Sequence, residues 1–205
     1  MSRVENRGSH AAAWTVAGRL SARALQLGSN LALTRLLVPE AFGLMAAAAV
    51  FLQMTQLLSD FGIQTALIQL REGSRRRIID AAWYLSVLRA LVLWAGVLAL
   101  AGPAAAFYDA PELGGLLVLL SLGIPLAGFE NPAYALTIRR LEARRQFLFE
   151  TTVALWTAGI TVFLCWRDAS VTSLALGSLA GIAARTLGSY LVARPWPRPR
   201  LRPDL

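Results

Sequence analysis

The stretch Ala11–Val38, AAAWTVAGRLSARALQLGSNLALTRLLV, is long and apolar enough to cross a bilayer, yet it contains Arg19, Arg23, Gln26 and Asn30. Their separations of four, three and four residues stack all of them on one face of a 3.6-residue helix. An arginine at the centre of a spanning helix costs about 2.5–3.5 kcal/mol even on a lenient insertion scale. Two on one face are tolerable only where that face looks into protein or water. The remaining segments must therefore surround a polar stripe at membrane depth.

The rest of the chain is built for that setting. Of its 205 residues, 56% are hydrophobic and 16% charged. The mean hydropathy is +0.53, the signature of an integral membrane protein. Six apolar runs follow one another at 11–38, 41–70, 78–106, 113–138, 151–166 and 171–193. Each is set against the roughly 20 residues that cross a core of about 30 Å, the fifth being the shortest. No run alternates with a period of two, so strands are not expected. The fold class read from this pattern is an all-α integral membrane protein, six transmembrane helices forming one bundle. Residues 1–10 form a short tail before it. Residues 194–205, RPWPRPRLRPDL, form a Pro/Arg-rich tail after it.

Charge sets the orientation. Fourteen arginines fall at 1–10, 71–77, 139–145 and 194–205, all on one predicted side, against Arg35 and Arg167 on the other. Positive residues stay in the cytoplasm, so both termini are expected there. The net charge of +8 is made by twenty arginines against twelve acids and is confined to these clusters. Nucleic-acid binding is therefore not expected, since no basic and aromatic surface module is left over. Cys165 and His10 each occur once. Disulfides, metal clusters, and Cys/His or Ser/His catalysis lack the residues they need, so neither an enzyme nor a cofactor is expected. The first run is too long and too often interrupted by arginine for a cleaved signal peptide.

Further polar residues lie inside the runs. The second carries Gln53, Gln56, Asp60 and Gln64, again three and four residues apart. The third carries Arg89, the fourth Glu130 and Asn131, and the sixth Arg185. Counted inward from the predicted cytoplasmic ends, Arg19, Asp60, Arg89, Glu130 and Arg185 share one layer about 12–17 Å deep. Two readings of this layer stand side by side. In one, the charges form structural pairs, such as Asp60 with Arg19 or Arg89 and Glu130 with Arg185. In the other, the formal excess of +2 among Arg19, Arg23, Arg89 and Arg185 makes a site for an anion, arginine's planar fork suiting phosphate oxygens. Gln26, Asn30, Gln53, Gln56, Gln64 and Asn131 would then line a polar cavity. Asp60 and Glu130 are the carboxylates available for ion coupling.

Lesser features carry bland readings beside sharper ones. Gly177 and Gly181, continued by Ala184 and Gly188, read as a close-packing stripe. Pro125, Gly128 and Pro132 bend the fourth run, as a hinge or as a tolerated kink. The segment Ile138–Glu150, IRRLEARRQFLFE, reads either as an interfacial amphipathic helix or as a charged loop.

The stretch from Leu33 to Gln69 resembles the start of bacterial polysaccharide-export flippases. These belong to the multidrug/oligosaccharidyl-lipid/polysaccharide exporter superfamily. The family's R-x-L-x-P-x-x-F-G turn is matched by Arg35, Leu37, Pro39, Phe42 and Gly43, and a following acidic motif by Asp60, Gly62, Ala66, Ile68 and Gln69. The segment from Asn131-Pro132 to Phe147 is similar to the family's exit from the fourth helix. The resemblance implies a flippase in the bacterial inner membrane that moves undecaprenyl-pyrophosphate-linked oligosaccharide for surface polysaccharide by alternating access. The arginines carry over by role alone. The partners implied are that lipid-linked oligosaccharide, membrane lipids and a second bundle, since family members pack two. This chain resembles the N-terminal one, and residues 194–205 read as the start of the linker between them. A cation-coupled exporter of small molecules and a non-transporting membrane scaffold are the alternatives; the basic cavity weighs against the first.

Overall fold

The computed structural model describes residues 20, 23–25, 27–58, 75–134 and 143–192. Every regular element among them is helical. Residues 27–36 form α1. They are followed by α2 (Pro39–Leu58), α3 (Arg75–Phe107), α4 (Pro111–Ser121), α5 (Gly123–Gly128), a single 3-10 turn (Pro132–Tyr134), α6 (Ala143–Arg167) and α7 (Val171–Val192). Five helical segments among the described residues are long and apolar enough to cross a membrane: Pro39–Leu57, Ile79–Phe107, Pro111–Gly128, Arg144–Arg167 and Val171–Val192. The expected tails at 1–10 and 194–205, the end of the fourth run and the start of the Ile138–Glu150 segment lie outside the described residues.

Local chemistry explains where the helices turn. Leu37 N–H closes α1 on Leu33 O at 3.0 Å, and Pro39 begins α2, its missing N–H being one that a first helical residue does not need. Between α3 and α4 the chain reverses through Asp109, whose φ of 50° is a left-handed conformation that aspartate tolerates. Pro111 then opens α4 as Pro39 opens α2. The fourth run is divided at Leu122. Pro125 has no N–H to return to Ser121 O, and the Ser121 hydroxyl takes Val118 O at 2.7 Å, the acceptor that a continuing helix would offer Leu122 N–H, which bonds Leu119 O instead.

The fifth span differs from expectation. Helix α6 is continuous from Ala143 to Arg167, so its first turn begins eight residues before Thr151, and the part of the charged segment described belongs to the same helix. Residues 143–166 contain no proline and only Gly159, so nothing in this stretch breaks a helix. Charge alone does not end one.

The helices pack in two zones. At one end Leu33, Leu37 and Ala41 bury against Cys165 and Leu174, while Ala48, Ala101, Leu113, Leu117 and Ala175 form the largest core cluster. At the opposite end Ile79, Ala82, Ala133, Tyr134 and Phe149 form a second cluster, with Val153 and Val192 against it. The small residues of α7 face α6: Gly177 lies against Thr161, Gly181 against Thr157 and Gly188 against Phe149. That stripe is a packing surface.

Candidate functional site

Two groups of polar side chains stand out among the described residues. One is on the outward face of α1 and α2. In α1, Leu33 is buried while Arg23 (just before α1), Leu27, Asn30 and Leu31 are exposed; in α2, Ala41 and Ala48 are buried while Val50, Gln53, Met54, Gln56 and Leu57 are exposed. On each helix the amides, and Arg23 ahead of α1, therefore lie among exposed large apolar side chains, away from that helix's buried residues. Arg19, Gln26, Asp60 and Gln64 lie outside the described residues.

The other is at the end of the bundle where α5, α6 and α7 meet. Arg185 of α7 grips Glu150 of α6 in a two-pronged pair, Nη1 to Oε2 at 2.8 Å and Nη2 to Oε1 at 3.1 Å. Its Nε lies 3.5 Å from Glu130 Oε1, just beyond α5. Tyr134 donates its hydroxyl to Glu150 Oε1 at 2.8 Å, and its ring sits 5.7 Å from the guanidinium carbon. The Phe149 ring lies 5.1 Å from that ring, centroid to centroid. All three charged groups are partly covered, their side chains 38% (Arg185), 32% (Glu150) and 21% (Glu130) exposed. Each guanidinium nitrogen has a carboxylate within reach, and such bidentate pairs are the strong ones. Glu150, which the sequence did not group with Arg185, joins Glu130 there, so two carboxylates stand against this one arginine.

Asn131 is completely buried beside this cluster. Its Oδ1 accepts the N–H of Ala133 at 3.0 Å, capping the 3-10 turn, and its own N–H donates to Ser189 Oγ at 3.0 Å. Asn131→Ala, which removes a cap from a buried turn, is expected to cost about 1–2 kcal/mol, read as a lowered unfolding midpoint in detergent. Asn131→Asp keeps the oxygen and should lose less of the turn geometry, at the expense of a new buried charge.

Arg89 is half-buried on α3, next to Ala90, which packs with Val97 and Ile124. Trp83, on the same helix, donates Nε1 to Tyr190 Oη at 3.0 Å and lies against Phe129. The structure thus brings Glu130, Asn131 and Arg185 together, and places Arg23, Asn30, Gln53 and Gln56 elsewhere. It also shows residues that composition and spacing did not single out: Tyr134 and Glu150 in the charge cluster, and Thr186, Ser189 and Tyr190 beside it. The available signal for Glu150 was the unbroken helical sequence on either side of it.

These helices, apolar on most faces and polar on selected ones, define a multi-pass membrane protein. The chain matches the family described as "Polysaccharide biosynthesis protein" over residues 32–204, and it belongs to that family. It is 28% identical over 185 residues to the succinoglycan biosynthesis transport protein ExoT of Rhizobium meliloti, covering 90% of this chain and 37% of that one. It is 27% identical over 176 residues to the lipopolysaccharide biosynthesis protein WzxC of Escherichia coli, covering 86% of this chain and 36% of that one. The chain therefore spans a little over a third of the length of these curated relatives. No solved structure matches. Family and helices together place it among multi-pass proteins of the bacterial inner membrane.

Proposed function

We propose that this chain forms the N-terminal bundle of a flippase that carries a lipid-linked oligosaccharide across the inner membrane for surface polysaccharide. The observation that carries the reading is the outward face of α1 and α2. Arg23, Asn30, Gln53 and Gln56 are exposed there on helices otherwise apolar enough for lipid. A charged or amide side chain facing hydrocarbon is costly, so this side belongs against protein or water. A second bundle of the kind the family resemblance implies would close it into a cavity.

In this reading the chain has six spans with both termini in the cytoplasm. Arg19, Arg23 and Arg89 hold the pyrophosphate of an undecaprenyl-linked substrate entering from the inner leaflet. Gln26, Asn30, Gln53, Gln56 and Gln64 face the sugar, and the prenyl chain stays in lipid. Arg185, its fork held by Glu150 and its Nε beside Glu130, stays outside this set. Asp60 balances the arginines of the first helix. Rocking of one bundle against the other then exposes the sugar on the far side, and no covalent step is required.

The test replaces Arg19 and Arg23 by alanine in the full-length protein, in a strain whose surface polysaccharide depends on it. Surface polysaccharide is expected to fall at least tenfold at unchanged protein level, with the lipid-linked precursor accumulating; tenfold corresponds to about 1.4 kcal/mol of lost anion binding. Normal polysaccharide from a normally accumulating variant would remove the anion site from this face.

A further inference from the structure

The end of α5 leaves three backbone groups without helical partners, and α7 supplies all three. Glu130 N–H, which in a continuing helix would reach Leu126 O, turns to Ala127 O at 3.0 Å. Leu126 O instead accepts the Thr186 hydroxyl at 2.9 Å. With Ala127 O so used, Asn131 N–H goes to Ser189 Oγ at 3.0 Å, and that hydroxyl donates onward to Thr186 O at 2.6 Å. Ala133 N–H is taken by Asn131 Oδ1, and Phe129 O accepts the Tyr190 hydroxyl at 2.6 Å. Tyr190 Oη in turn accepts from Trp83 of α3.

The four α7 residues involved, Arg185, Thr186, Ser189 and Tyr190, are spaced i, i+1, i+4 and i+5 and so occupy one helix face. Within a membrane, irregular backbone survives only where such partners replace water. Breaking the contact would strand three backbone groups and a carboxylate at once. A hinge needs bonds that open at little cost, and this break has the opposite construction.

We infer that this face of α7 is a positioning element. It fixes residues 126–134 to α6 and α7, so the broken helix travels with them as one body through the transport cycle and is not a hinge. Arg185 belongs to this element, tying Glu130 and Glu150 together, and is not a substrate ligand. The inference rests on the transport reading only for the cycle; the bonded unit itself is independent of it.

The experiment has two arms, both on the full-length protein. In the first, Cys165→Ala removes the native thiol, and Gly123→Cys with Ile182→Cys places a pair across the α5–α7 contact without touching its hydrogen bonds, since a Cβ on Gly123 stands 2.7 Å from Ile182 Cδ1; the pair is closed in membranes by a short thiol-specific crosslinker. Crosslinked protein is expected to sustain surface polysaccharide within about twofold of the uncrosslinked protein. Loss of polysaccharide on crosslinking, reversed by cleaving the linker, would show that the contact opens during transport and would overturn the inference. Failure of the pair to crosslink in a protein that accumulates normally would overturn it as well.

The second arm is amide hydrogen exchange at Asn131 and its neighbours. Ser189→Ala is expected to raise the exchange rate at Asn131 about five- to tenfold, the loss of one hydrogen bond, and Ser189→Thr to restore it. Rapid exchange of 129–134 in the unmodified protein would sink the proposal without reference to transport. An unmodified protein that supports no polysaccharide would count against the transport reading alone, and the exchange arm would still decide this one.

Discussion

Arg185→Ala is expected to lower the stability of the bundle by about 2–3 kcal/mol, seen as a fall in the thermal unfolding midpoint in detergent and in the amount of protein in the membrane. Removing one partner of a buried pair costs about 3–5 kcal/mol, because the other charge stays behind without its counter-ion. Here the groups are about a third exposed, so the figure is reduced for solvent screening. Two carboxylates, Glu130 and Glu150, would be left facing each other's charge. Glu150→Ala should cost less, since Arg185 keeps Glu130. The combination Arg185→Met with Glu150→Met should recover part of the loss, because apolar side chains of similar length fill the space of that pair and only Glu130 is left without its counter-ion. A double variant as damaged as Arg185→Ala would mean that the cluster acts through something other than charge compensation.

Gly177→Ala is expected to be more damaging than Gly181→Ala, although both glycines lie on the same stripe of α7. A Cβ on Gly177 would stand 2.8 Å from the backbone Cα of Thr161, which can move only if the whole of α6 moves. A Cβ on Gly181 would meet the Thr157 side chain, with Cγ2 at 2.6 Å and Cβ at 3.1 Å, and a change of rotamer relieves part of that clash. Overpacking of this kind costs about 1–3 kcal/mol, and the Gly177 variant should lie at or above the upper end of that range. Gly177→Leu should separate α6 from α7 and abolish accumulation of folded protein. Unfolding midpoints of the two alanine variants, measured side by side, decide the order. Equal midpoints would mean that α6 yields as a rigid body at both positions.

Much of the architecture was readable from residue types because a bilayer punishes error at every position. Long apolar runs must be helices there, and proline marks where they start or bend, as Pro39, Pro111 and Pro125 do. The third and sixth runs, expected at 78–106 and 171–193, correspond to helices Arg75–Phe107 and Val171–Val192. The beginning of α6 was not readable by the same rule. Arg144, Arg145 and Glu150 look like loop chemistry in a hydropathy profile, yet they are good helix formers and the helix runs through them.

Relations across the chain divide the same way. The polar stripe of Arg23 and Asn30 follows from helical spacing, a local property, and so does the expectation that its face must avoid lipid. Sequence offers Glu130 as one carboxylate for Arg185, because both are charges stranded in apolar runs. It does not offer Glu150, 35 residues away, nor the hydroxyls of Thr186, Ser189 and Tyr190 reaching backbone groups about 60 residues earlier. Serine, threonine and tyrosine in a spanning helix are cheap enough to need no explanation, so nothing in their identity marks them as partners.

What the amino-acid order determined by itself was the class of protein and the helical character of its apolar runs. Those follow from the cost of placing particular groups in hydrocarbon, which each residue meets on its own. Which arginine is already held by carboxylates, and which helix completes the broken one, was decided only by tertiary structure. Such partners are set by how helices cross in space, and a hydrogen bond depends on ångström distances between groups that the chain keeps far apart.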